Sequence, residues 1–223
     1  MAREKRILAT VCLDTETVPP QRPDIIAHLA MKYGPKPGDD EKATAKAKEK
    51  ALDEYRKASL DGTFGELACI SWAVDDGEVK SSYRALGESE HEVLRAFTFA
   101  MDDLAREVGD PTGIIYVAHN AEFDKRFITK RMTIHRLDGP PGLAERNVKS
   151  WDSQWRCTMS TWVDEWKGRI SLADLALALS LPVGKDDLPG SEVYDAMLRG
   201  EHERVRQHCE RDVELVRQVW AKL

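Results

Sequence analysis

Apolar residues along this chain fall into two rhythms. Residues 7–13 (ILATVCL) form a run rich in β-formers, which predicts a buried first strand. Two more strands are predicted at Leu67–Val74 and Val79–Leu86, joined across the turn residues Asp75-Asp76-Gly77. From 90 to 106 the rhythm changes: Val93, Leu94, Phe97, Met101 and Leu104 recur at helical spacing. A short strand, Ile114–Ala118, is followed by a helix over 121–131 and a loop at 138–142 (DGPPG). Ser171 and Asp174 resemble a capping box, with Asp in place of the usual Glu or Gln, and predict a helix through about Leu179. Two further helices are expected, about 190–198 and 201–222. Paired strands early and strand–helix alternation later predict an α/β fold, a mixed central β-sheet flanked by helices.

The stretch 18–62 breaks this pattern. It opens with Pro19, Pro20 and Pro23, passes Pro35-Lys36-Pro37-Gly38, and then becomes rich in Ala, Lys and Glu. Strong helix formers fill almost every position of 40–59, so a charged helix is expected there, laid over the core as an insert after the first strand. No internal repeat and no second core is visible, so residues 1–223 read as a single domain.

The formal net charge of −6 argues against a generic basic nucleic-acid coat. Locally the balance reverses: residues 121–170 hold ten basic and seven acidic residues, a candidate path for a phosphate backbone, with a solvated helix face as the alternative. Cys12, Cys69, Cys157 and Cys209 form no CxxC pair, which reads against zinc and for a reducing compartment. No secretory signal and no membrane-length apolar segment is evident, so a soluble, cytoplasmic protein without a membrane partner is expected.

Three segments place carboxylates where apolar or neutral groups are normal. Asp14 and Glu16 end the first strand and, two residues apart, share a face. Asp124 falls between Phe127 and Ile128 on the inward side of its helix. Asp212 lies in the middle of the stripe formed by Val205, Cys209, Val216, Val219, Trp220 and Leu223, with His208 one turn earlier at its edge. A solvated strand end, a helix-dipole carboxylate and a buried salt bridge are the ordinary explanations. Taken together, four acids from three distant segments are what a two-metal phosphodiester site requires.

The motifs Leu-Asp14-Thr-Glu16-Thr, His119-Asn120-Ala-Glu-Phe123-Asp124 and His208-Cys-Glu-Arg-Asp212-Val resemble, in this order, those of the DnaQ-like DEDD 3′→5′ exonucleases. The resemblance extends over most of the chain and is to stand-alone proofreading-type enzymes of bacteria and their viruses. The third motif departs from the family's two branches: its spacing is that of Tyr-x-x-x-Asp, yet the residue is His208, and Gln207 stands where the other branch has histidine.

The resemblance implies an RNase H-like fold and two Mg²⁺ or Mn²⁺ ions held by Asp14, Glu16, Asp124 and Asp212. It further implies that His208 takes a proton from the attacking water or orients it. An imidazole suits a base at neutral pH better than a phenol does. Thr15, Thr17, Asn120, Phe123 and Lys185 are the expected substrate contacts, with Asn120 and Phe123 shaping a terminal-nucleotide pocket. The expected substrates are 3′ ends, foremost of single-stranded DNA, and a replication or repair protein is a further expected partner in trans. RNA trimming, or a catalytically silent nucleic-acid-binding module associated with a polymerase, are the alternatives. No GxGxxG or GxxxxGK[ST] pattern follows the first strand, against a nucleotide-binding domain.

Overall fold

The computed structural model describes residues 6–145, 148, 153–163, 168–184 and 188–223. Among the described residues, five strands form one mixed sheet in the order β3-β2-β1-β4-β5. β1 (Ala9–Val18) is central, antiparallel to β2 (Glu66–Val74) and parallel to β4 (Ile114–Ala118). β3 (Lys80–Tyr83) borders β2, and β5 (Trp155–Cys157) runs parallel to β4 at the other edge. This sheet and its flanking helices make an RNase H-like α/β fold.

Alternation along β1 sorts its side chains between two helical layers. Val11 and Leu13 join Phe97 and Met101 of α3 (Glu90–Val108) and Phe127 and Ile128 of α4 (Ala121–His135). Cys12 faces the other way, toward Val213 and Val216 of α8 (His202–Trp220). Beyond the carboxylates, Val18 packs with Val193, Ala196 and Met197 of α7 (Val193–Leu198) and with Val205. The β1–β2 ladder carries one irregularity: Glu16 pairs with Cys69 but Thr17 with Leu67, so Ala68 is an extra residue on β2.

The insert holds two helices. α2 (Glu41–Lys57) is the expected charged helix, capped by Asp40 and with no buried residue. α1 (Pro23–Tyr33) was not expected: the prolines read as breakers, yet Pro23 occupies the first helical turn, where its missing N–H costs nothing. β5 and α5 (Thr158–Trp162) also escaped the sequence reading, being three and five residues long, too short for a period to show. β1 starts two residues later than its apolar run and continues through Asp14 and Glu16, so these lie within the strand and not after it. β3 is shorter than Val79–Leu86, because Arg84 turns inward to bond Glu66 and the carbonyls of Leu67 and Glu88. α6 (Leu172–Ala178) starts as expected, with Ser171 Oγ accepting the Asp174 N–H at 3.0 Å.

Among the described residues, no helix is long and apolar enough to cross a membrane. The four cysteines are free thiols; Cys12, Cys69 and Cys209 are buried, and burial pushes the Cys12 thiol up to about 12.

Candidate active site

Asp14, Glu16, Asp124, His208 and Asp212 line one cleft of about 810 Å³, where the ends of β1 and β4 meet α8. Alternation explains the arrangement. Asp14 and Glu16 project on the α8 side of the sheet, and Thr15 projects on the α4 side. Thr15 Oγ1 donates to Asp124 Oδ1 at 2.7 Å in a buried bond, so its hydroxyl is committed to a carboxylate. His208 Nε2 lies 3.0 Å from Glu16 Oε1, both side chains being buried. Asp124 and Glu16 are thus each steadied by a neighbour from another segment.

The electrostatics mark these acids as crowded. Burial, followed by the charges of Glu16, Asp212 and Asp124, raises the Asp14 carboxyl well above the ordinary carboxylate range. Burial also pushes Asp124 up to about 7, against the opposing hydrogen bond from Thr15 and with help from the Glu16 charge. Three of the four acids therefore act on the fourth. Among the described residues, no group of three or more His, Cys, Asp or Glu side chains stands in ready-made metal-binding geometry. The donor set itself is hard oxygen, the kind that Mg²⁺ and Mn²⁺ take.

One placement differs from the sequence reading. The buried stripe of α8 is Val205, His208, Cys209, Val213, Val216 and Val219. His208 is buried and Asp212, although mid-stripe as expected, is only half-buried where it lines the cleft; Leu223 is exposed. On the helical wheel Asp212 still falls among Val205, Val216 and Val219; it is less buried than they are because it lines the cleft.

Of the expected substrate contacts, Thr15, Thr17 and Phe123 line the cleft. Asn120 is exposed and lines a smaller adjoining hollow with Phe123; its left-handed backbone (φ 61°) turns the chain sharply from β4 into α4. Lys185 lies outside the described residues. The basic path is weakened on α4: Arg131 is buried against Glu90, Lys130 pairs with Asp61, and Arg126 with Glu122. Arg146, Lys149 and Lys167 lie outside the described residues.

Two cleft residues had no role assigned from sequence. His119 Nε2 meets the Ile170 carbonyl at 2.8 Å, and Nδ1 meets Thr158 Oγ1 at 2.8 Å. A carbonyl only accepts, so Nε2 carries the proton and Nδ1 accepts from the threonine. Burial lowers this imidazole's pKa, consistent with a neutral ring that pins the segment before α6 to the end of β4. Leu60, at the end of the insert, reaches the cleft while 66% exposed. An apolar residue ending a charged helix was the available signal.

The sequence matches no protein-family model and no curated protein. The structure is similar to that of the family B DNA polymerase from the hyperthermophilic archaeon Pyrobaculum calidifontis, with a TM-score of 0.59 and 14% identity. The match covers 96% of this chain and 24% of the polymerase, so the chain spans about a quarter of that protein's length. The likeness is one of fold.

Proposed function

We propose that this chain is a divalent-metal-dependent 3′→5′ exonuclease that releases 5′-mononucleotides from nucleic acid, foremost single-stranded DNA. The observation that carries the reading is the convergence of Asp14, Glu16, Asp124 and Asp212 on one cleft, with Asp14 pushed up by burial and by the other three. Buried like charges are costly without a cation or a proton to relieve them. The order and spacing of the three DEDD-like motifs add support, as does the fold likeness to a DNA polymerase.

Asp14, Glu16, Asp124 and Asp212 would hold Mg²⁺ or Mn²⁺; two such ions supply an acidified water and stabilise the leaving oxygen. The chain's own side chains do the rest. Thr15 fixes Asp124, and His208 fixes Glu16 and would take the proton of the attacking water. Phe123 and Thr17 offer an apolar face and a hydroxyl to the terminal nucleotide.

The test is incubation with 5′-labelled single-stranded DNA, duplex DNA and RNA, in Mn²⁺ and in EDTA. The expected result is a 3′-shortening ladder in Mn²⁺ that EDTA abolishes. Asp212→Asn should lower the rate by roughly 10²–10³-fold, as for loss of one preorganised charge-stabilising group. Hydrolysis that persists in EDTA, or in Asp212→Asn, rejects the site. Preferential degradation of RNA would move the substrate class and keep the chemistry.

A further inference from the structure

The last residues of the insert form a strap with both ends tied down. On one side, Arg56 makes a bidentate pair with Asp195 of α7, at 3.0 and 2.9 Å, and its guanidinium lies 5.9 Å from the Tyr194 ring centre. Beside it the Tyr55 and Tyr194 hydroxyls meet at 3.0 Å. On the other side, Asp61 pairs with Lys130 of α4, and the Gly62 carbonyl accepts from Arg131 at 3.1 Å. Gly62 is pressed against α4 so closely that a Cβ there would stand 3.0 Å from the Phe127 carbonyl oxygen. Between these ties, Leu60 lines the acidic cleft and both smaller hollows next to it.

The sizes differ in a telling way. The cleft, about 810 Å³, falls in the range of roughly 300–1,000 Å³ typical of ligand sites. The hollows beyond Leu60 are about 240 and 170 Å³, below that range. The first has Arg126 and Lys130 on its wall, but each is paired with an acid, Glu122 or Asp61, so it offers little net charge to a phosphate. Among the described residues, the two hollows at Leu60 offer a strand lying in the cleft no comparable groove by which to continue past the strap.

We infer that the strap at residues 56–62, held between α7 and α4, closes one end of the cleft and restricts it to the terminus of a nucleic-acid strand. This rests on the nuclease reading above and assigns the insert a substrate class within it: free strand ends, as opposed to internal stretches. The element that selects ends is then the insert and not the acidic centre.

The experiment compares a linear single-stranded DNA with the covalently closed circle of the same sequence. Binding is read by competition in Ca²⁺, and cleavage in Mn²⁺. Two variants release the strap: Tyr55→Ala with Arg56→Ala, and replacement of residues 40–59 by a Gly/Ser linker. The linker removes a helix with no buried residue, so folding should persist, checked by circular dichroism and melting. The wild type should favour the linear strand by about tenfold or more, and the variants should bring the ratio close to one while still degrading linear DNA. Folded variants that keep the full preference overturn the inference alone, whereas a wild type that cuts circles as readily as linear strands overturns the exonuclease reading with it. A wild type that neither binds nor cleaves any strand overturns the nuclease reading and this inference together.

Discussion

Two groups of buried acids lie close together in this fold, and they are treated in opposite ways. Glu90, 3% exposed at the start of α3, is bonded by Arg131, by His135 at 2.7 Å and by the Leu67 N–H at 2.8 Å. Burial works to raise its pKa, and these partners more than offset that, leaving it below the ordinary value. Glu66 is similarly locked to Arg84 at 2.9 Å. Asp124, 2% exposed, has a threonine hydroxyl and other carboxylates near it, and its pKa goes up. The chain therefore can neutralise buried acids with arginines, and at the cleft it sets acids against each other. The first arrangement leaves no charge uncompensated; the second, on the proposed reading, would hold charge for a cation.

The largest effect that would sharpen this contrast is on catalysis. His208→Ala should cost about 10²–10⁴-fold in rate in saturating Mn²⁺, the usual range for a general base. His208→Tyr should retain more activity than the alanine variant, since the third motif has the tyrosine-type spacing. A near-normal rate for His208→Ala would reduce His208 to a packing residue of α8.

Next comes stability. Glu90→Gln leaves Arg131 buried without its anion and should cost about 3–5 kcal/mol, read by denaturant unfolding. The specific activity of the folded fraction should not change. A large loss of rate in the still-folded protein would break the division between the two groups.

The smallest effect has the opposite sign. A carboxyl whose folded pKa is raised stabilises most below its unfolded value, and that contribution is lost as pH rises through the folded value. For Asp124 the window runs from 3.8 to about 7. In a chelator at pH 8, Asp124→Asn should therefore raise stability by on the order of 2–4 kcal/mol, while in Mn²⁺ it should abolish most activity. The gain should shrink as pH falls toward 3.8 and vanish about one unit below it, where the wild-type carboxyl is protonated in both states. Melting temperatures across pH test it, and a lower melting temperature at pH 8 would show that Asp124 is stabilised by a partner.

Much of this contrast was legible beforehand. Asp124 stood out because it interrupts the inward face between Phe127 and Ile128, and period 2 along β1 put Asp14 and Glu16 together. The locking partners were not legible: Arg131 is 41 residues from Glu90 and read as part of a surface charge path. Pairing of that kind is set by how α3 and α4 pack, which no local pattern encodes. The same holds for the Thr15–Asp124 bond across 109 residues, and for β5, a strand only because β4 offers it an edge. Asp212 and His208 are legible together, but a helical wheel gives direction and not depth, and Asp212 lines a cleft that leaves it half-buried.

The extra residue at Ala68 bears on how this site tolerates changes in chain length. It sits opposite the point where β1 passes from Glu16 to Thr17, and such an insertion bends its strand and increases the local twist. Removing Ala68 would leave Cys69 opposite Glu16 and Leu67 opposite Thr17, so the ladder would close with the same partners. The bend would be lost, and the backbone hydrogen bond that the Ala68 carbonyl accepts from Arg84 would go with it. The local bend of β2 opposite Glu16 is therefore stored in a residue count on that strand, invisible to any scan that only exchanges side chains.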